Sequence, residues 1–214
     1  AMEKSLVNIT IDGIALQDEK GTAILEVARD HGMHIPTLCY NESLEPEGRC
    51  RLCLVEVKKG KRTRLVTSCL YPVEDGLEIQ TQSAKVLLTR KMVLELLLAR
   101  CPDSEVIQQM AAGMGVEKSR FKLDEGHWKC ILCGLCIKTC EEAVGVSAIG
   151  LSYRGSDKKV GTPFIEPTMV CIGCGACHFI CPTGAIKMTE KDGIRQIWER
   201  DFKLKACNVC GNYF

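Results

Sequence analysis

The sequence predicts an α+β chain: a strand-rich N-terminal unit, a linking helix, and a C-terminal unit built from an internal repeat. Three observations predict it. Apolar residues alternate with polar ones at Val7, Ile9 and Ile11, and recur with helical period between Ser83 and Arg100. Twelve of the fifteen cysteines fall into three sets of four. The second and third sets share one spacing, the mark of a duplicated half-unit.

Val7, Ile9 and Ile11 read as a half-buried strand. Asp12-Gly13 is a hairpin turn, and Ile14 and Leu16 continue beyond it. Thr22 is placed to cap a short helix with Ile24, Val27 and Ala28 facing inward, and Gly32 closes it. A glycine-containing loop runs from Cys39 to Cys53. Strands over Leu54–Val57 and Leu65–Thr67 flank a basic turn at Lys58–Arg64, and Leu77, Ile79 and Thr81 make a last strand. Hairpin, helix and further strands is the order of a β-grasp domain, assigned to residues 1–82. Residues 83–126 read as a helical linker. On its first helix Val86, Leu87, Val93, Leu94, Leu97 and Leu98 share one face, with Lys85, Arg90 and Lys91 elsewhere, and Pro102 ends it. A second helical segment near Val106–Met110 is broken by Gly113 and Gly115.

The bulk composition narrows the function classes. A net charge of +1 gives no global argument for nucleic acid or an anionic membrane surface. Aromatic content is only 5%, so the core must rest on Leu, Ile and Val or be supplemented by bound metal. No apolar run opens the sequence, and the longest apolar stretch, Val93–Ala99, is too short to span a bilayer. The chain therefore reads as cytoplasmic, where clustered C-x2-C units favour metal over disulfides. No nucleophile–base pair or phosphate loop is present. Gly113-x-Gly115 lacks the rest of a nucleotide fingerprint, so no catalytic residue is assigned and the chain alone is not expected to bind NAD.

Cys130, Cys133, Cys136 and Cys140 read C-x2-C-x2-C-x3-C, and Cys171, Cys174, Cys177 and Cys181 repeat that spacing. Thiolates are the ordinary ligands of [2Fe–2S] and [4Fe–4S] clusters. Two zinc knuckles are the competing reading, but zinc would need four ligands from each run alone. The repeat resembles the bacterial two-cluster ferredoxin over residues 127–190, where the fourth cysteine of each run serves the other cluster. That resemblance implies one [4Fe–4S] cluster on Cys130, Cys133, Cys136 and Cys181, and another on Cys171, Cys174, Cys177 and Cys140. Pro182 follows the second run as in the family, whereas Glu141 stands in that place in the first. Proline there is not a ligand, so the ligand sets are unaffected.

Upstream, Cys39, Cys50, Cys53 and Cys69 read C-x10-C-x2-C-x15-C. With the loop Gly48-Arg49-Cys50-Arg51-Leu52-Cys53, this spacing resembles the [2Fe–2S] domain that opens the large iron–sulfur subunit of respiratory complex I. The same domain opens the diaphorase small subunit of NAD-linked hydrogenases, many [FeFe]-hydrogenases and some formate dehydrogenases. Segments Ser147–Gly155 and Val160–Phe164 look like that family's insert between the two cysteine runs. The resemblance implies a β-grasp [2Fe–2S] domain followed by a two-[4Fe–4S] ferredoxin-like domain. Arg49 and Arg51 either solvate the surface, raise the cluster potential, or dock an acidic partner.

The relatives usually carry a further His-x3-Cys-x2-Cys-x5-Cys cluster site between these regions. Here the segment holds only Cys101 and His127, so that site is expected to be absent, and Cys101 reads as a small buried apolar residue. Residues 191–214 read as a charged tail. Its pair Cys207 and Cys210 supplies two ligands, too few for a cluster or a structural zinc; a zinc or iron site there needs ligands from a neighbour or from outside this sequence, and the alternative, a redox dithiol, lacks the βαβ setting such pairs usually have. His31, His34, His127 and His178 read as structural or surface residues, with His178 able to tune a cluster by a hydrogen bond.

What the resemblance implies is an electron-transfer subunit of a multi-subunit NAD(P)-linked oxidoreductase. It would sit beside a flavin/NAD(P)H-binding subunit and a small [2Fe–2S] subunit of complex I type. At its other end it would meet ferredoxin, a hydrogenase or a formate dehydrogenase, electron-bifurcating complexes included. The alternatives are a free-standing ferredoxin-like carrier and the N-terminal part of a larger hydrogenase or dehydrogenase chain.

Overall fold

The computed structural model describes residues 5–126 and 129–213. It divides into two units, one ending at His127 and the other beginning at Trp128. The first unit holds strands β1 (Leu6–Ile11), β2 (Ile14–Glu19), β3 (Leu54–Lys59), β4 (Arg62–Thr67) and β5 (Leu77–Gln80). They form one sheet in the order β2-β1-β5-β3-β4, with β1 and β5 parallel and the other pairs antiparallel. Helix α1 (Ile24–Asp30) covers it, and α2 (Ala84–Arg100) and α3 (Glu105–Gly113) follow. This is the expected β-grasp arrangement.

Alternation sets the faces. Val7, Ile9 and Ile11 on β1, Val55 and Val57 on β3, and Leu77 and Ile79 on β5 all turn inward against Ile24, Leu25, Val27 and Ala28 of α1. At the hairpin, Asp12 and Gly13 both take positive φ (49° and 84°), the turn that matches strand twist. The Asp12 carboxylate then accepts hydrogen bonds from the Thr81 N–H (2.7 Å) and hydroxyl (2.5 Å), tying the hairpin to the end of β5.

Three local expectations are corrected. Thr22 does not cap α1: Ala23 stands at the N-cap with no side-chain bond. The free N–H groups of Ile24 and Leu25 donate instead to the carbonyls of Tyr71 (2.9 Å) and Ser68 (3.1 Å), so the loop around Cys69 caps the helix. The basic turn is shorter than expected, because β3 and β4 run on through Lys59 and from Arg62. On α2 the buried stripe is Val86, Arg90, Leu94 and Leu98, four residues apart, while Leu87, Val93 and Leu97 are half-buried. Arg90 thus lies on the core face, not elsewhere on the helix.

The second unit holds short elements: α4 (Leu135–Lys138) running into a π-helical turn (Thr139–Ala143), the hairpin β6 (Gly150–Ser152) and β7 (Lys159–Gly161), and α5 (Ala176–Phe179). A three-stranded meander, β8 (Met188–Lys191), β9 (Ile194–Ile197) and β10 (Arg200–Lys203), then runs from the end of the repeat into the residues from 191 on that were expected to be tail. Its turns are Asp192-Gly193 and Trp198-Glu199, all at positive φ. The core here gathers Cys136, Ile149, Cys177, Ile186 and Ile197. Among the described residues no helix is long and apolar enough to cross a membrane.

Candidate metal centres

In the first unit Cys39, Cys50, Cys53 and Cys69 are all buried, at 1–6% exposure. The Cys50 N–H donates to Cys39 Sγ (3.2 Å), and the Sγ atoms of Cys53 and Cys69 lie 3.5 Å apart. Within each pair the two thiols are pushed in opposite directions. A hydrogen bond from Cys39 draws the Cys50 thiol down to about 6, and one from Cys69 draws Cys53 down to about 6. Cys39 and Cys69 are pushed up by those same bonds, and burial adds to the effect. The loop leading to Cys50 and Cys53 needs its glycine: Gly48 sits at φ 63°, and a Cβ there would stand 2.6 Å from Leu70 Cδ1. Arg49 is paired with Glu47 (2.5 Å), and Arg51 is exposed at φ 60°.

In the second unit the two cysteine runs fold as copies. Gly134 and Gly175 both take left-handed φ (84° and 78°) just before α4 and α5, so each helix springs directly from a ligand loop. Leu132 adopts the positive φ (55°) that Gly173 adopts (69°) at the matching position. In both copies an alanine in the following segment reaches back to the fourth cysteine. Ala148 N–H donates to Cys140 Sγ (3.3 Å), and Ala185 N–H to Cys181 Sγ (3.2 Å). The first copy takes a longer route, because Glu141 lets the chain continue through the π-helical turn where Pro182 ends it in the second.

Two small cavities result. Cys140, Cys171, Cys174 and Cys177 line the first, with Val146, Ile149 and Trp198 among their neighbours. Cys130, Cys133, Cys136 and Cys181 line the second, with Ile131, Val160 and Ile186. Each cavity thus draws three thiols from one run and the fourth from the other. Burial pushes the Cys136 thiol up, and it pushes Cys177 up against a hydrogen bond from Trp198. Four sulfur donors in an apolar surround are the donor set that iron–sulfur groups take, so the residues present fit such a group.

Side chains that the spacing does not reveal hold the 171–175 loop. Arg195 Nη1 donates to the Gly173 carbonyl (2.8 Å), and Arg200 Nη1 donates to the carbonyls of Cys171 (2.9 Å) and Thr168. Both arginines come from the meander. Phe202 lies over Gly173 so closely that a Cβ would meet its ring at 2.4 Å.

The remaining candidates fall outside these sets. Cys101 is fully buried at the C-cap of α2. Cys207 and Cys210 lie in a tight terminal turn where Val209 N–H donates to Cys207 Sγ (3.4 Å), and backbone hydrogen bonds from Cys210 and Val209 pull that thiol down. Among the described residues no third His, Cys, Asp or Glu side chain joins Cys207 and Cys210 at a metal position. His31 and His34 are exposed, and His178 Nδ1 donates to the Ile186 carbonyl (2.6 Å). His127 lies outside the described residues. Glu141 is exposed, with its carboxylate on the surface.

Residues 4–84 match the family described as a 2Fe-2S iron-sulfur cluster binding domain, and residues 168–187 match a 4Fe-4S binding domain. The chain resembles the N-terminal iron–sulfur region of the complex I large subunit. It is 33% identical to an NADH-quinone oxidoreductase subunit of Rhizobium meliloti, over 96% of this chain and 27% of that one. Identity to NADPH-Fe(3+) oxidoreductase subunit alpha of Geobacter sulfurreducens is also 33%, covering 85% and 24%. It is 30% to the NADH-ubiquinone oxidoreductase 75 kDa subunit of Reclinomonas americana, covering 91% and 31%. The chain spans about a quarter of the length of the first two of these relatives. Among solved structures, an NAD+-reducing [NiFe]-hydrogenase in the H2-reduced state matches with TM-score 0.63 and 28% identity, over 73% of this chain and 74% of that one. The chain is related to subunits of NADH and NADPH oxidoreductases and of a hydrogenase, with iron–sulfur domain matches over residues 4–84 and 168–187.

Proposed function

We propose that the chain relays electrons through one [2Fe–2S] group on Cys39, Cys50, Cys53 and Cys69 and two [4Fe–4S] groups with exchanged fourth ligands. The first [4Fe–4S] set is Cys130, Cys133, Cys136 and Cys181; the second is Cys171, Cys174, Cys177 and Cys140. The observation that carries this reading is the lining of the two cavities, each ringed by three cysteines of one run and the fourth of the other. Such groups, when bound, supply one-electron carriers. The protein's part is to hold the thiolates, to keep water off them with Ile149, Ile186 and Trp198, and to aim backbone N–H groups at the sulfurs. Ala148 and Ala185 do the last for Cys140 and Cys181.

The likeness to dehydrogenase and hydrogenase subunits supports a place between a flavin/NAD(P)H-binding subunit, with a small [2Fe–2S] subunit beside it, and a ferredoxin, hydrogenase or formate dehydrogenase partner. Electron bifurcation is compatible with that place. Cys207 and Cys210 are proposed as half of a further zinc or iron site that a neighbour completes. The short coverage of the relatives favours one alternative, that these domains work as the iron–sulfur portion of a longer catalytic chain.

Iron and acid-labile sulfide of the anaerobically purified protein test the reading. About ten irons per chain are expected from one [2Fe–2S] and two [4Fe–4S] groups; about fourteen would sink it by requiring another cluster. Cys140→Ser is expected to abolish the EPR signal of the cluster held by Cys171, Cys174 and Cys177 and to spare the other. Loss of the Cys130–Cys136 cluster instead would mean that the runs do not exchange ligands.

A further inference from the structure

Arg90 is 1% exposed in the middle of α2. Its Nη2 donates to the Leu54 carbonyl (2.6 Å), a neutral acceptor, and its Nε is buried without an acceptor. A guanidinium so placed is strongly unfavourable unless negative charge lies near it. Asp12 is one such charge, but its carboxylate already accepts two hydrogen bonds from Thr81. Burial pulls the Arg90 guanidinium below its ordinary value, and negative charge at Cys53, then at Asp12, works against that. Leu54, which Arg90 grips, follows Cys53 directly. Leu52, between Cys50 and Cys53, lines the same groove as Arg90 and Leu94. Helix α2 therefore carries a buried cation to the back of the ligand loop.

Four thiolates outweigh the positive charge of an oxidised [2Fe–2S] core, and reduction adds one more negative charge. A fixed cation behind the loop favours the reduced form, and water and salt screen it little because it is buried. We infer that Arg90 sets the potential of the [2Fe–2S] centre by stabilising its reduced state. It does not ligate the cluster; it acts through its charge and through the Leu54 carbonyl that it holds. This inference rests on the ligation by Cys39, Cys50, Cys53 and Cys69 proposed above.

An EPR-monitored redox titration of the whole protein tests it. Arg90→Met keeps an apolar stem and removes the charge. At a fixed solution potential the ratio of reduced to oxidised [2Fe–2S] is expected to fall about tenfold, which for one electron is a shift of about 59 mV. Arg90→Lys retains the charge and is expected to recover most of that ratio. Asp12→Asn, a residue suited to the positive φ of that turn, removes the competing anion and is expected to move the ratio the other way by a smaller factor, a check that stands even if Arg90→Met does not fold. A [2Fe–2S] signal in every variant with an unchanged midpoint, or Lys and Met variants shifted alike, would overturn the role of Arg90. A wild-type protein with no [2Fe–2S] signal would overturn the ligation itself.

Discussion

The two units are held together by different means. In the first, Ile11, Ile24, Leu25, Leu77 and Ile79 are buried to 0–1% exposure around a continuous sheet. In the second, the core gathers three isoleucines and two of the proposed ligands, Cys136 and Cys177. The backbones differ in the same sense. Among the described residues, Leu132, Ser147, Tyr153, Phe164, Ile165, Asp192, Trp198 and Glu199 of the second unit take positive φ, against Asp12 and Arg51 in the first. Such backbone costs of order 1–3 kcal/mol per residue, and it is concentrated in the unit with the smaller buried core. On the proposed ligation, the folding of this unit is coupled to what its cysteines hold, because metal binding and folding share one free energy.

Removing the iron is expected to separate the units most sharply. After anaerobic chelation, amides across residues 129–213 should lose hydrogen-exchange protection, while those of β1, β5 and α1 keep most of theirs. An iron-free chain whose Ile149 and Ile197 amides stay protected would break the comparison, since the second unit would then hold itself together by side chains after all.

A single methyl group gives a finer contrast. Gly173 and Gly32 have nearly the same φ (69° and 71°), so alanine meets similar backbone strain at both, about 1–2 kcal/mol. At Gly32 the space around a Cβ is open, whereas at Gly173 the Phe202 ring is in the way. Gly173→Ala should cost a further ~1–3 kcal/mol of overpacking and pull the meander off the 171–175 loop, where Arg195 and Arg200 attach. Urea melts should show the second unit's midpoint falling further than Gly32→Ala lowers the first's. Equal shifts would mean that the meander does not brace the loop.

What the sequence displays follows the same division. The first unit's strands were legible because one buried face imposes period two, and Asp12-Gly13 marks their turn. Asp192-Gly193 carries the same signal, but of the strands it joins only Ile197 is buried, so no alternation surrounds it. Cysteine spacing displays the candidate ligands because each set is a local pattern. It does not display Arg195, Arg200 or the alanine N–H groups, whose roles come from contacts that the fold makes between separate segments. Arg90 was hidden for the opposite reason: a charged residue on an apolar stripe reads as an interruption, and only the packed helix reveals that the stripe runs through it.

The smallest expected effect concerns α2 itself. Ser83 Oγ accepts from the Val86 N–H (3.3 Å), satisfying one of the N–H groups left free at the helix start. The same helix buries Val86, Leu94 and Leu98, so its stability belongs to the side-chain core rather than to metal. Ser83→Ala should therefore cost about 1 kcal/mol, lower the urea midpoint of the first unit, and leave both the iron content and the second unit's transition where they were. Were iron lost from the Cys171–Cys177 set instead, α2 would be coupled to the metal-dependent unit, and the division between the two means of stabilisation would not run between the units.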